Sequence, residues 1–314
     1  VADTLPVTAT RLSVVVCCYT AARRAQVLRV VESALNQVAG NGDEIIVVVD
    51  HNDELRDDLS TALPESIILI PNTFERGLSG ARNTGVGRAG NEVVVFVDDD
   101  AVLTPGALDG ARQAFDDPSI VAIGGAVDAD WEVGSAPDWF PQEYGWVVGC
   151  DYRGLPACGD QIRNPIGAAM AVRRAALNHI NGFSTKLGRV GELPSGCEET
   201  LMGVQLRAEF PEQRIVRHTA FRVSHHVPSV RATLRYFTSR CYHEGRSKAA
   251  LTRISGRQAA LSSERSYTTR ILTSGAWQAR RNPRRLIALV AGFLYTATGF
   301  ATGMVLTARQ ERHR

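Results

Sequence analysis

Three consecutive carboxylates, Asp98, Asp99 and Asp100, follow directly on the apolar run VVVFV. Charges of one sign this close repel, and at the end of a buried segment their cost is tolerable only where solvent or a cation neutralises them. Hard divalent ions such as Mg²⁺ or Mn²⁺ take oxygen ligands of this kind, and a diphosphate would complete the coordination. The plainer alternative is a solvated acidic turn ahead of a helix that Thr104 caps and Pro105 opens. A second acidic pair, Glu198 and Glu199, precedes the apolar stretch TLMGVQL. Glutamates at a helix start complement its dipole, and they are also placed to accept a proton. Further on, His225 and His226 stand together ahead of Val-Pro and Arg231, and His226 is the expected additional metal ligand, since a neutral imidazole binds Mn²⁺.

These groups need a scaffold, and the apolar pattern describes one. LSVVVCC (12–18), EIIVVVD (44–50), SIILI (66–70) and EVVVFV (92–97) are continuous β-branched runs, as in strands covered on both faces. Between the first two, Val27, Val30, Val31, Ala34, Leu35 and Val38 recur at three- and four-residue spacing and mark an amphipathic helix. Strand and helix in alternation imply right-handed crossovers and a parallel sheet, whose ligands bind at the carboxyl ends of the strands. Tyr19, Thr20, Asp50, Asn72 and Asp98–Asp100 occupy those ends.

Residues 128–164 turn rich in Trp, Pro, Gly and Asp, which predicts an irregular connection over the site. Trp139 and Phe140 there either line a pocket or anchor the loop. GAAMAVRR (167–174) returns to strand composition, a helix should start in 175–180, and 230–260 reads as a basic amphipathic helix. Arg235, Arg240, Arg246 and Lys248 on it offer a phosphate-binding face or a solvated one.

Leu286–Leu306 is 21 residues without a charge, flanked by Arg280, Arg281, Arg284 and Arg285 before it and by Arg309, Arg312 and Arg314 after it. It is long enough to cross a bilayer, and Gly299 and Gly303 form a GxxxG that would seat it against another helix. The basic flanks suit anionic lipid. The expected organisation is a catalytic unit over 1–228, with a nucleotide-binding half at 10–103 and an acceptor-side half at 104–228. A basic helical segment over 229–283 and a membrane-associated helix with a basic tail over 284–314 complete it.

Apolar residues make up 44% of the chain and charged ones 22%, the composition of a globular body. No aromatic residues interleave with the arginine clusters, which argues against nucleic acid. The six cysteines show no zinc-ligand spacing and read as reduced thiols. VADTLPVTATR lacks the apolar core of a secretory signal, so the body is expected at the cytoplasmic face of a membrane. The turn after the first strand, CYTAARR, holds no glycine, which counts against NAD-dependent dehydrogenases and sugar nucleotidyltransferases.

VVVCCYT, EIIVVVDHND, GLSGARNTG and VVVFVDDDAV, in this order and spacing, resemble the family 2 inverting glycosyltransferases of the GT-A fold, a Rossmann-like α/β architecture with a mostly parallel sheet flanked by helices. The resemblance implies a Mn²⁺- or Mg²⁺-dependent transfer from a nucleoside-diphosphate sugar, by frequency a UDP-sugar. The acceptor would be a glycan or a polyprenyl-type lipid-linked molecule at a membrane surface. It also implies that Thr20 and Asp50 hold base and ribose, that Arg82 contacts the nucleotide, and that Asp98, Asp99 and Asp100 hold diphosphate and metal, with Asp100 the direct ligand. Of the acidic pair the second member, Glu199, would be the base. Glu replaces the family's usual Asp there, so Glu198 stays open. A non-catalytic nucleotide-sugar-binding protein of the same fold is the competing reading.

Overall fold

The computed structural model describes residues 10–38, 42–185, 187, 196–256 and 271–312, with side chains to 305. The apolar runs are strands: β1 (Leu12–Cys18), β2 (Glu44–Val49), β3 (Ile68–Pro71) and β4 (Val93–Asp98). They are parallel, in the spatial order β3-β2-β1-β4. Their side chains alternate between two cores, which explains why the runs are apolar throughout. On one face Val14, Val16, Ile45 and Val47 meet Val27 and Val30 of helix α1 (Arg24–Val38) and Leu55 and Leu59 of α2 (Asp53–Ala62). On the other, Val15, Ile46, Val48 and Phe96 meet Ala81 and Val86 of α3 (Leu78–Arg88). Gly85 of α3 lies so close to β1 that a methyl group there would sit 2.5 Å from Val15 Cγ1.

The second half of the chain extends the same sheet with mixed polarity. It contributes β5 (Ala101–Leu103), α4 (Ala107–Phe115), β6 (Ile120–Trp131), β7 (Ala169–Arg173), α5 (Arg174–His179), α6 (Glu198–Glu209) and β8 (Arg214–Val227). β7 runs antiparallel to both β4 and β6, while β6 and β8 are parallel to each other. The parallel sheet expected from the first half is therefore the β3-β2-β1-β4 portion only. β6 also continues through Trp131, so the irregular connection begins later than residue 128. Three helices follow: α7 (Leu234–Ser255), α8 (Thr273–Ala279) and α9 (Pro283–Arg312). The six cysteines are free thiols.

Candidate active site

The carboxyl ends of β1, β2 and β4 border a cavity of about 540 Å³, closed on its other side by the connection after β6, the start of α6, and α7. Asp98 ends β4, and Asp99 and Asp100 turn inward, both buried. His225 Nε2 lies 3.0 Å from Asp100 Oδ1, and the ligand atoms of Asp98, Asp100 and His225 all lie within 4.8 Å of one another. Two carboxylates and an imidazole suit a divalent ion such as Mn²⁺. Asp99 Oδ2 is buried with no hydrogen-bond partner among the described residues, an oxygen that a bound ligand could use.

The structure corrects the histidine. Successive residues of a strand point to opposite faces, and on β8 it is His225 that turns to the carboxylates. His226 is half-exposed, with Nδ1 4.0 Å from Asp130 Oδ2. The register explains it, since His225 pairs across the sheet with Ala101, the residue after the acidic cluster.

Cations balance the cluster. Arg23, in the single turn after β1, donates to Asp99 and lies 3.1 Å from Asp100 Oδ2, and Arg231 lies 3.7 Å from the same oxygen. Burial alone would raise the Asp100 carboxyl, but His225, Arg23 and Arg231 outweigh it and hold it well below its ordinary range. Burial pushes Asp99 up, with Asp100 and Asp98 adding to it against the pull of Arg23. Burial would lower His225; Asp100 more than reverses it and raises the imidazole. In the sequence Arg23 stands in the turn CYTAARR, and nothing in the pattern there pairs it with the acidic cluster.

Arg82 reaches both acidic clusters. Its guanidinium is buried, sits 5.4 Å from the Phe183 ring centre and 6.0 Å from that of Phe96, and donates to Glu199 Oε1 at 2.9 Å and to Asp98 Oδ1 at 3.4 Å. Glu198 Oε1 is 3.7 Å away. Arg82 thus links the two acidic clusters in the cavity wall, with Asp98, Glu198 and Glu199 around its guanidinium. Gly167 makes room for this pair, because a methyl there would fall 2.2 Å from Glu199 Oε1 and 2.6 Å from Arg82 Nη2.

Asp50 borders the cavity, but its oxygens already accept from Asn72 Nδ2 at 2.7 Å and the Gly77 amide at 2.9 Å, which ties the start of α3 to β2. Thr20 accepts from the Ala22 amide at 3.3 Å as a cap, and its neighbour Tyr19 faces the cavity instead. Trp139 and Phe140 anchor the loop: they join an aromatic cluster with Phe237 and Trp131 at centroid separations of 5.2–5.8 Å. Trp146 is the tryptophan in the cavity wall, with Arg240 and Lys248 of α7 over its ring at 5.7 and 5.9 Å. Nothing in the sequence pattern of that loop distinguished it.

The sequence model described as Glycosyl transferase family 2 matches residues 13–180. The chain belongs to that family. It is 30% identical over 246 residues to the "Glucosyl-dolichyl phosphate glucuronosyltransferase" of Haloferax volcanii, covering 77% of this chain and 77% of the relative. It is similar in structure to a mannosyltransferase from Pyrobaculum calidifontis solved with GDP-Man and Mn²⁺, with TM-score 0.59, 17% identity, and coverage of 91% of this chain and 87% of that one. GalNAc-T7, solved with UDP, GalNAc and Mn²⁺, superposes at TM-score 0.50 and 15% identity over 77% of this chain and 51% of its own. The glycosyltransferase therefore has the GT-A fold, and the cavity lies where strands β1, β2 and β4 of that fold end.

Proposed function

We propose that this glycosyltransferase moves a sugar from a nucleoside-diphosphate sugar, a UDP-sugar first among the candidates, to a lipid-linked or cell-envelope glycan acceptor. The transfer occurs at the cytoplasmic face of a membrane, by a metal-dependent displacement that inverts the anomeric centre. The observation that carries it is one cavity holding both a carboxylate–imidazole group fit for a divalent ion and a second carboxylate pair oriented by a shared arginine. The lipid-linked acceptor is supported by the name of the Haloferax relative, and Mn²⁺ by the two solved neighbours.

Asp98, Asp100 and His225 would hold the ion, which when bound supplies Lewis-acid stabilisation of the charge developing on the departing diphosphate. Arg23 and Arg231, already directed at Asp99 and Asp100, add positive charge beside that oxygen cluster. Glu199 takes the proton from the acceptor hydroxyl as it attacks. Of the two glutamates its side chain is the more exposed, 16% against 4%, and Arg82 fixes its direction. Arg82 is a positioning residue. The body of α3 and the Phe96 and Phe183 rings lock it in place, so the base and the ion site keep their separation.

The experiment is release of free nucleoside diphosphate from UDP- and GDP-sugars, with and without Mn²⁺ and a polyprenyl-phosphate-linked acceptor, for the native chain and Asp98→Asn. Cation-dependent release by the native chain, lost in the variant, is the expected result. Release that ignores the cation overturns the metal's part. Failure to bind both UDP and GDP with Mn²⁺ in calorimetry overturns the whole reading.

A further inference from the structure

α9 contains the 23-residue stretch Pro283–Val305, long and apolar enough to cross a bilayer. It does not stand alone, however, because one side of it is closed onto α7 along most of that length. A methyl on Gly299 would lie 1.9 Å from the Tyr242 carbonyl oxygen, and one on Gly245 would lie 2.1 Å from that of Thr296. A methyl on Gly303 would lie 2.7 Å from Ala249 Cβ, and Arg253 donates to the Gly303 carbonyl at 2.9 Å. At the near end Gly292 abuts Phe237 and the ring of Tyr144, whose hydroxyl donates to the Leu289 carbonyl at 3.3 Å. From Phe237 to Arg253 the seam runs roughly 24 Å along α7 at 1.5 Å per residue.

α7 cannot accompany α9 into hydrocarbon. It carries Arg235, Arg240, Glu244, Arg246, Lys248 and Arg253, and charges at bilayer depth are costly. Nor can α9 enter alone without giving up the glycine seam. The side of α9 turned away from α7 is nevertheless apolar and exposed: Ile287, Val290, Leu294, Ala301 and Met304 recur at helical spacing. At its entry stand exposed Arg281 and Arg284, and Trp277, 68% exposed with the Arg280 guanidinium 4.2 Å over its ring. An apolar helix face with a tryptophan and arginines at one end matches the boundary of an anionic bilayer.

We propose that α9 lies in the plane of the membrane, clamped to α7, with its outer face in the acyl boundary and its arginine-rich entry on anionic headgroups, and that it does not span. This rests on the membrane-surface reading above and specifies its geometry. The opposite side of α7 presents Arg240 and Lys248 to the cavity, so the cavity stands one helix away from lipid. A phosphate-bearing lipid headgroup could reach it without leaving the surface.

Two measurements on the full chain test this, in a Cys158→Ser background that removes the exposed thiol. In the first, Arg281→Cys and Arg314→Cys are each labelled with a membrane-impermeant maleimide in sealed vesicles. Labelling of both from the same side is expected. Labelling from opposite sides overturns the in-plane geometry and leaves the membrane reading intact, whereas a chain recovered wholly in the soluble fraction overturns both. In the second, binding to vesicles containing phosphatidylserine should fall at least tenfold for Leu294→Glu with nucleotide binding unchanged. Unchanged vesicle binding would show that this face does not meet lipid.

Discussion

The two acidic clusters of the cavity are held in different ways. Asp98–Asp100 ends a strand, and within it Asp99 and Asp100 draw counter-charge from three separate elements: Arg23 after β1, His225 on β8, and Arg231 in the turn before α7. Glu199 opens a helix and takes its counter-charge from Arg82, which it shares with Asp98 and Glu198. The strand-end cluster is over-determined, so no single cation decides its position. The helix-start carboxylate depends on one guanidinium, which is buried and packed beside the Phe96 and Phe183 rings. Redundancy suits the ion-holding role proposed for the first cluster, and a single firm pivot suits the base role proposed for Glu199.

That contrast can be broken most sharply at the glutamates. Glu199→Gln should lower kcat by about 10²–10⁴-fold, the usual worth of a general base, with the donor KM nearly unchanged. Glu198→Gln should cost less in rate, and steady-state kinetics in the reverse order would exchange their roles. Next in size, Asp98→Asn should reduce cation-dependent turnover by about a hundredfold, since several kcal/mol of charge stabilisation go with the ion. Asp98 is the most exposed of the three aspartates, so its thermal unfolding should move little. The third test is of stability. Arg82→Ala leaves buried carboxylates without their partner and should cost about 3–5 kcal/mol, a fall in Tm on the order of 10 °C by calorimetry. Arg23→Ala should cost clearly less, because Arg231 and His225 remain; equal losses would remove the distinction between the clusters.

The smallest expected effect concerns the thiol between the clusters. Cys17 borders the cavity, and burial pushes its pKa up to about 12, with Asp98 and Asp99 adding to the shift against Arg82. Hydrogen bonds from Thr219 lower that of the exposed Cys158. A raised thiol pKa means the proton stays on as pH rises, so at pH 8 Cys17 is almost wholly thiol while Cys158 has begun to ionise. Iodoacetamide at pH 8 should therefore modify Cys158 first with activity retained, as peptide mass mapping would show. Early alkylation of Cys17 would mean that the cavity floor is less enclosed than described.

The first half of the fold was legible because β1, β2 and β4 are buried on both faces, and an unbroken apolar run admits few other readings. β6 escaped because Gly124 and Gly125 interrupt it and its far end, Asp128–Asp130, is exposed. β8 escaped because arginines and histidines fill its half-exposed positions. Missing β8 is what misassigned the histidine, for the choice between His225 and His226 is one of strand parity and invisible until the strand is drawn. The acidic clusters could be read as charge in need of an explanation. The partners Arg23 and Arg82 could not be assigned, because which carboxylate a guanidinium meets is set by tertiary packing. Trp146, in the short 3₁₀ segment Gln142–Val148, belongs to no periodic pattern long enough to read.

The hydrogen bond from Arg82 to Glu199 closes over 117 positions of sequence. A chain emerging from the ribosome completes β1 to β4, with Asp98 and Arg82 in place, long before α6 exists. Contacts at such separation form late, because the intervening loop must first be ordered. For that interval the guanidinium lacks one of the anions that its burial requires, and α3 has reason to stay loosely docked until the second half arrives. The arrival of Glu199 at the start of α6 releases this frustration, which ties firm docking of α3 to the second half of the chain.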